Sequence, residues 1–140
     1  MKYLLDTNVI SELIKKEPHP SVLRWIDEQE EFTLCLSVIT FGELQKGISK
    51  LFDKNRVERL QTWVDQDLAN RFAGRILPLD FATLLTWGKV QGNSEKSGNS
   101  LPVLDSLIAA TAMTKKLIVV TRNTKDIERC QAAVYNPWEY

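Results

Sequence analysis

The chain has 140 residues, which is the usual size of one domain, so we predict a single domain spanning residues 1–140. Hydrophobic residues make up 44% and charged residues 26%, a balance that excludes a disordered, collagen-like or membrane-embedded chain. Eighteen Lys and Arg residues balance eighteen Asp and Glu residues, which excludes nucleic-acid binding through overall positive charge. Any such binding requires a local basic patch or bound cations.

The predicted strands alternate with helices along the chain. The first half of the chain contains a predicted strand at 3–5, a helix at 9–14, a helix at 21–26 capped by Ser21, a strand at 32–37, a helix at 38–51 and a long half-exposed helix at 53–72. The second half contains a predicted strand at 76–79, a helix at 81–90 closed by Gly92, a loop at 92–100 and a helix at 102–116. A strand at 117–121, a helical turn at 125–130 and a strand at 133–135 follow. Strands separated by helices predict an α/β fold: a three-layer α/β/α sandwich around a mainly parallel sheet.

The cysteine and histidine content narrows the possible chemistry. Cys35 and Cys130 are too few for a disulfide framework or a spaced metal cluster, so we expect two buried thiols in a reducing compartment. The acid at position 6 comes too early for a signal peptide, and no apolar segment is long enough to span a bilayer, which predicts a cytoplasmic protein without a membrane partner. His19, between two prolines, is the only histidine, so catalysis must use carboxylates rather than a Ser-His-Asp or Cys-His arrangement.

Acidic and polar side chains follow the predicted strands, at the edge where parallel sheets bind ligands. Asp6 lies one residue beyond the first strand, and Asn123 lies two residues beyond the strand that ends at Thr121. Glu43 belongs to the helix after the second strand, and Asp105 to the first turns of the helix after the long loop. We expect these side chains to meet at one edge of the sheet.

The surroundings of two of these acids favour a metal site. Glu43 and Asp105 lie in apolar helical segments that look buried, and burial of a lone carboxylate is costly. Acids gathered without a basic partner also raise each other's pKa. A divalent cation removes both conflicts, and oxygen ligands suit Mg²⁺ or Mn²⁺.

Each acid also has a simpler interpretation. Asp6 can cap the helix that follows it, and Asp105 can be a favourable charge in a first helical turn. Glu43 can be a solvated residue paired with Lys46 or Lys50. These interpretations explain each acid singly, but they do not require the apolar neighbours of Glu43 and Asp105, so the joint placement favours a metal site.

Four segments resemble the motifs of PIN-domain nucleases, in particular the VapC toxins of bacterial toxin–antitoxin pairs. The segment LLDTNVISE at 4–12 resembles their opening, and SVITFGEL at 37–44 resembles their second acidic motif. LDSLIAATA at 104–112 and VTRNTKD at 120–126 resemble the third and fourth motifs. AGRILP at 73–78 and NPW at 136–138 further resemble the FitB-like branch, so the likeness extends from residue 2 to residue 138.

The resemblance implies a PIN-like sandwich, metal-dependent endoribonuclease activity, a cognate VapB-type antitoxin and a homodimer. Carried over by position, it assigns Asp6, Glu43 and Asp105 to the metal-centred acids, with Asp6 and Asp105 as the foremost ligands. At the fourth position Asn123 stands where the family often has an Asp, and Asp126 follows one helical turn later. The neutral amide contributes less charge toward a second metal.

The resulting hypothesis is hydrolysis of RNA phosphodiester bonds with Mg²⁺ or Mn²⁺, in which the bound ion activates a water that Glu43 holds or orients. The supporting polar residues predicted around the acids are Thr7, Asn8, Thr121, Asn123 and Asp126. Three basic residues are predicted to contact RNA: Arg122, Lys46 and Lys50. Arg122 is favoured for a phosphate contact because its corner also holds the predicted site, whereas Arg56 and Arg59 fit a solvated helix face.

Two other functions remain open from the sequence. A phosphatase of the haloacid dehalogenase kind would use Asp6 as nucleophile, but it expects a second Asp at position 8, where this chain has Asn8. A catalytically silent module would bind a partner protein through Trp25, Trp63 and Trp87, although burial in the core is the commoner fate of tryptophan.

Overall fold

The computed structural model describes all residues, 1–140. Its strands are β1 (Tyr3–Leu5), β2 (Leu34–Ser37), β3 (Ile76–Leu77), β4 (Ile118–Val120) and β5 (Val134–Tyr135). Its helices are α1 (Thr7–Leu13), α2 (Pro20–Glu28), α3 (Val38–Ser49), α4 (Lys54–Thr62), α5 (Ala69–Arg71), α6 (Phe81–Lys96), α7 (Val103–Lys115) and α8 (Thr124–Arg129). A π-helical segment, Trp63–Leu68, joins α4 to α5, and short 3-10 turns cover Glu31–Thr33 and Pro137–Glu139.

The five strands form one parallel sheet in the order β3-β2-β1-β4-β5. Tyr3 lies opposite Leu34 of β2 and opposite Ile118 of β4. The chain therefore builds outward from β1 to β3, then returns and adds β4 on the other side of β1. This reversal of strand order lies between β1 and β4, where an open parallel sheet forms its binding crevice.

Two hydrophobic clusters cover the two faces of the sheet, because successive strand side chains point to opposite faces. Leu4 and Val119 belong to the cluster that includes residues of α6 and α7. Leu5 and Val120 belong to the cluster that includes residues of α1, α2 and the π-helical segment. The predicted three-layer α/β/α sandwich is confirmed.

The start of α2 differs from the prediction that Ser21 caps this helix. The helix begins at Pro20, and the His19 side chain caps it by accepting a hydrogen bond from the Ser21 backbone N–H at 3.2 Å. Proline suits the first helical position because its fixed φ matches the helix and its missing N–H would be unpaired there. The prediction that Ser21 is the cap is therefore wrong, because the actual cap, His19, lies two residues earlier.

Helix α6 is longer than predicted: it continues through Gly92 to Lys96, so the predicted loop at 92–100 is wrong over its first half. The buried side chain of Gln91 donates hydrogen bonds to the Leu101 carbonyl and to Ser106 Oγ, which fastens this part of α6 to α7. The helix ends before Gly98, whose φ of 83° suits glycine. Packing against α7 outweighs the helix-weakening effect of Gly92.

The predicted long helix at 53–72 is confirmed as a continuous helical stretch with a π-helical middle. Asp53 caps its start by accepting hydrogen bonds from the backbone N–H groups of Asn55 and Arg56. In the π-helical segment Val64 and Leu68 are buried. The spacing of apolar residues therefore predicted this helix, although it did not predict the wider turn.

The two cysteines are free and buried, as predicted. Burial raises the pKa of the Cys35 thiol to about 11, so it is protonated and unreactive near neutral pH. Among the helices, none combines the length and the apolar character needed to cross a bilayer.

Candidate active site

Asp6 is held at the carboxyl end of β1 by both neighbouring elements. Its backbone N–H donates to the Val120 carbonyl at 2.9 Å, which continues the β1–β4 pairing beyond the last strand residue. Its Oδ1 accepts from the Thr7 N–H at 2.8 Å, so Asp6 does cap α1. Its Oδ2 accepts from the Thr121 hydroxyl at 2.8 Å, which fixes the carboxylate at the strand-order reversal.

The Thr121 hydroxyl connects the two strand ends. While it donates to Asp6, its oxygen accepts from Asn8 Nδ2 at 3.1 Å and from the Asn123 backbone N–H at 3.0 Å. Asn8 also uses its Oδ1 to accept from the Arg122 N–H at 3.3 Å. The polar corners after β1 and β4 therefore form one hydrogen-bonded unit, as their positions in the sequence predicted.

Glu43 approaches this unit from α3. The Thr7 hydroxyl donates to Glu43 Oε1 at 2.6 Å, and the hydroxyl oxygens of Thr7 and Thr40 lie 3.1 Å apart. The structure contains no ion pair between Glu43 and Lys46 or Lys50. The alternative interpretation of Glu43 as a surface partner of these lysines is therefore not supported.

Asp105 enters from the first turns of α7, and Asn123 Nδ2 lies 3.4 Å from its Oδ2. Its apolar neighbours Val103 and Leu104 are 56% and 44% exposed, so the expectation that this whole segment is buried is wrong at its beginning. The buried side of α7, which includes Ser106, faces the rest of the protein, whereas Val103 and Leu104 face solvent.

A cavity of about 440 Å³ collects these side chains. It is lined by Asp6, Thr7, Asn8, Ser11, Glu12, Lys15, Glu43, Asp105, Arg122, Asn123 and Trp138. Three acids that are distant in sequence, with Asn123, therefore open into the same space at the edge of the sheet. Thr121 is buried and hydrogen-bonded to Asp6.

Three carboxylates in this cavity, those of Asp6, Glu43 and Asp105, have no basic partner, whereas the fourth, Glu12, is paired with Lys15. Burial raises the pKa of Asp6, although hydrogen bonds from Thr121 and Thr7 oppose the shift. Burial also raises the pKa of Asp105, and the nearby charges of Asp6, Asp126 and Glu43 raise it further. The ion pairs of the structure include none of Asp6, Glu43 and Asp105, so the cavity is suited to a cation.

The donor set fits a divalent cation that also binds water and substrate. No group of three or more His, Cys, Asp and Glu side chains is arranged to hold a metal ion by itself. Mg²⁺ is commonly held by one or two carboxylates with several waters and a substrate phosphate. Asp6 and Asp105 provide such carboxylates in an open, polar cavity.

Besides the buried Thr121, three residues of the sequence prediction lie outside the cavity lining. Lys46 and Lys50 are exposed on α3 and do not border the cavity. Asp126 is one turn into α8, with its carboxylate 3.7 Å from Arg129, and it influences Asp105 through its charge. Arg122, in contrast, borders the cavity as predicted.

Sequence reasoning gave no role to four lining residues. Ser11, Glu12 and Lys15 follow Asn8 at helical spacing along α1 and its C-terminal end, so a helical projection from Asn8 would have found them. Trp138 comes from the C-terminal 3-10 turn, and no periodic signal in the sequence places that turn beside the cavity.

Comparisons with known proteins agree with this geometry. The PIN domain model matches residues 3–131. The VapC ribonuclease Y4jK of Sinorhizobium fredii is 38% identical over 136 residues, covering 97% of each chain, and the toxin FitB of Neisseria gonorrhoeae is 36% identical over 135 residues, covering 96% of this chain and 97% of FitB. The crystal structure of FitAcB from N. gonorrhoeae superposes with a TM-score of 0.92 at 35% identity, covering 99% of each chain. The chain therefore belongs to the PIN domain family, in the group that includes the VapC and FitB proteins.

Proposed function

We propose that this chain is the toxin of a type II toxin–antitoxin system, a cytoplasmic endoribonuclease that hydrolyses RNA phosphodiester bonds with Mg²⁺ or Mn²⁺. The observation that carries the proposal is the shared cavity of Asp6, Glu43 and Asp105 at the strand-order reversal of a PIN-domain sheet. The similarity to a protein named a ribonuclease and to another named a toxin supports it.

In this proposal Asp6 and Asp105 hold the ion, with Glu43 beside them. When bound, the ion supplies positive charge to the scissile phosphate and lowers the pKa of a water, which makes hydroxide available near neutral pH. Glu43 uses one oxygen to accept from Thr7, which leaves its other oxygen to orient the attacking water and accept its proton. No histidine is required.

The hydrogen bonds around the acids hold them in place before substrate arrives. Thr121 holds Asp6, Thr7 holds Glu43, and the Asn123 amide lies against Asp105. Such fixed partners reduce the reorganisation that ion and substrate binding require. Asn123 adds no charge, which favours a site with one ion over a site with two.

Arg122 is the basic residue best placed to contact RNA phosphate, because it lines the cavity with the acids and, unlike Lys15, forms no ion pair. We expect Arg122→Ala to raise KM about 5- to 10-fold with little change in kcat, the loss typical of one charge-assisted phosphate contact. Lys46→Ala and Lys50→Ala, which remove exposed charges outside the cavity, should each change KM less than about 3-fold. Initial cleavage rates at about 0.15 M salt measure these effects; an unchanged KM for Arg122→Ala would remove Arg122 from the RNA site.

A VapB-type antitoxin is the proposed protein partner. The FitAcB structure, which resembles this chain over 99% of its length, is the observation that supports it. A basic side chain of the antitoxin, placed among carboxylates that have no basic partner of their own, would compete with the metal ion and suppress cleavage. The partner therefore inhibits at the same cavity that the substrate uses.

We also propose that the chain forms a homodimer through α6. Phe81, Leu84 and Leu85 are 80%, 44% and 54% exposed, and their spacing places them on one face of the helix. An exposed apolar row of this kind is typical of an interface, and a self-complementary face pairs two copies by a twofold axis. We expect Leu85→Lys to convert the dimer to a monomer in sedimentation, whereas Asn93→Lys, the same charge change on an exposed later turn of α6, should leave a dimer. A monomeric parent chain would contradict the proposal.

The competing functions have less support. Asn8 stands where a haloacid dehalogenase-like phosphatase needs an acid, and its amide is committed to Thr121 and to the Arg122 backbone. For the silent binding module, Trp25 is buried and Trp87 donates to Ser106, so of the three tryptophans Trp63 alone lines an open groove. The deciding experiment incubates the chain with structured RNAs, with and without Mn²⁺, and maps the cut ends. Absence of cleavage together with absence of Mg²⁺ or Mn²⁺ binding in calorimetry would favour the silent module.

A further inference from the structure

A second cavity of about 430 Å³ adjoins the acidic one. The two cavities share four lining residues: Glu12, Lys15, Arg122 and Trp138. The other residues that line the second cavity are Glu17, Pro18, His19 and Pro20. A strand of substrate that reaches the carboxylates can therefore extend into a second open cavity.

One wall of the second cavity is built around Glu12. Although charged, Glu12 is only 5% exposed. Its Oε1 lies 2.8 Å from Lys15 Nζ, and its Oε2 accepts from the His19 backbone N–H at 3.0 Å. The prolines on both sides of His19 restrict the backbone further. This wall is thus preformed, so an occupant loses little entropy to ordering of the protein on binding.

Another part of the second cavity's lining is a flat cationic stack. The Arg122 guanidinium lies over the Trp138 indole, 5.5 Å from the ring centroid. Trp138 is itself held, because its backbone N–H donates to Asn136 Oδ1 at 3.0 Å and its side chain packs against a core cluster. Arg122 is exposed, so its guanidinium is open to solvent at the boundary between the two cavities.

We propose that the second cavity binds the base of the RNA nucleotide next to the scissile phosphate, stacked on the Arg122–Trp138 pair. The inference rests on the proposed RNA cleavage and adds the group that this part of the protein recognises. Guanidinium and aromatic planes are the usual stacking partners of unpaired RNA bases.

The charges of the second cavity favour a base over a second phosphate. Its cationic side chains, Lys15 and Arg122, face two carboxylates, Glu12 and Glu17, and Lys15 is already paired with Glu12. A cavity with balanced charge attracts a phosphate weakly, whereas a neutral planar base gains from stacking without requiring excess positive charge. Trp138 and Arg122 therefore determine how well the nucleotide beside the cut is held.

The test measures binding of oligoribonucleotides to the Asp105→Asn chain, which is expected not to cleave them. One oligonucleotide carries every base, and two others lack the base on one or the other side of the mapped cut. We expect one of the two abasic oligonucleotides to bind about 10-fold more weakly, the size typical of a lost base–aromatic stack. Adding Trp138→Leu should remove this difference, and Trp138→Phe should retain most of it. We call the loss of affinity caused by the missing base the abasic penalty. An abasic penalty that is the same with and without the Trp138→Leu substitution would overturn the proposal.

Two controls separate recognition from folding and from the proposed function. Tyr3→Leu removes an aromatic ring that packs against the same core cluster but lies at the start of β1, so it should leave the abasic penalty unchanged. If Trp138→Leu does not fold, Arg122→Ala provides the same comparison at an exposed residue, and it too should remove the penalty. If the parent chain cuts no RNA, the proposed function is refuted. If the parent chain cuts RNA but Trp138→Leu leaves the abasic penalty unchanged, only the proposed base site is refuted.

Discussion

The Asp6→Asn variant is expected to cleave RNA at least about 100-fold more slowly than the parent chain while keeping its fold. The substitution removes the most buried of the three carboxylates proposed around the ion, which the ion requires as a ligand. The fold should survive because the asparagine Oδ1 can still accept from the Thr7 N–H and cap α1. The substitution costs one hydrogen bond, because the Thr121 hydroxyl loses its acceptor while its oxygen already accepts from Asn8 and from the Asn123 N–H. A loss of this kind is about 1 kcal/mol, which a folded domain tolerates.

Cleavage rates in Mn²⁺, with circular dichroism as the check on folding, measure this effect. Asp53→Asn is the matched control, because Asp53 also caps a helix with its Oδ1 but is exposed and lies outside the cavity. Its rate should equal that of the parent. Full activity of the Asp6→Asn chain, or of the parent chain in excess chelator, would refute the metal-dependent mechanism.

The Asp105→Asn variant is expected to be more stable than the parent without metal ions and less stable with them. Because the pKa of Asp105 is raised in the folded chain, the folded state holds this proton more tightly than the unfolded state. The free energy of unfolding therefore falls as pH rises from the ordinary Asp pKa to the raised one. Asparagine removes this loss, so in chelator the variant should melt higher at pH 7, and the difference should vanish at pH below the ordinary Asp pKa.

Mn²⁺ should reverse this order. An ion present at 100 times its Kd stabilises the folded state by about 2.7 kcal/mol, which is several degrees in Tm for a chain of this size. The Asp105→Asn variant has lost a metal ligand, so Mn²⁺ should raise its Tm much less than that of the parent chain. Thermal melts in chelator and in Mn²⁺ measure the effect. Asp53→Asn is the control, and its Tm should differ from that of the parent chain by the same amount in both conditions. The same order of stability in both conditions would exclude Asp105 as a metal ligand.

The sequence predicted the strand ends well because short-range rules govern them. An apolar strand followed by a polar corner placed Asp6 and Asn123 at the carboxyl edge, and the structure brings both to one cavity. The helical elements that deliver Glu43 and Asp105 were predicted for the same reason. Side-chain partners across elements, such as Thr7 with Glu43, follow only once the sheet order is known.

The sequence-based predictions that were wrong concern features that depend on tertiary packing. Gly92 has the local character of a helix end, but the hydrogen bonds of Gln91 with the start of α7 hold the helix together past it. Lys46 and Lys50 are near Glu43 in sequence, yet they do not border the cavity. Trp138 belongs to the cavity because the C-terminal turn packs against α2, a placement that no local pattern encodes.

The sheet order also determines when during synthesis the toxin becomes active. The hydrogen bond between Thr121 and Asp6 joins residues 115 positions apart, and β4 must pair with β1 before the cavity has its second side. A nascent chain still on the ribosome cannot assemble its cutting centre until residue 121 has left the exit tunnel. The proposed cutting of RNA therefore requires that β4 has been synthesised and has paired with β1.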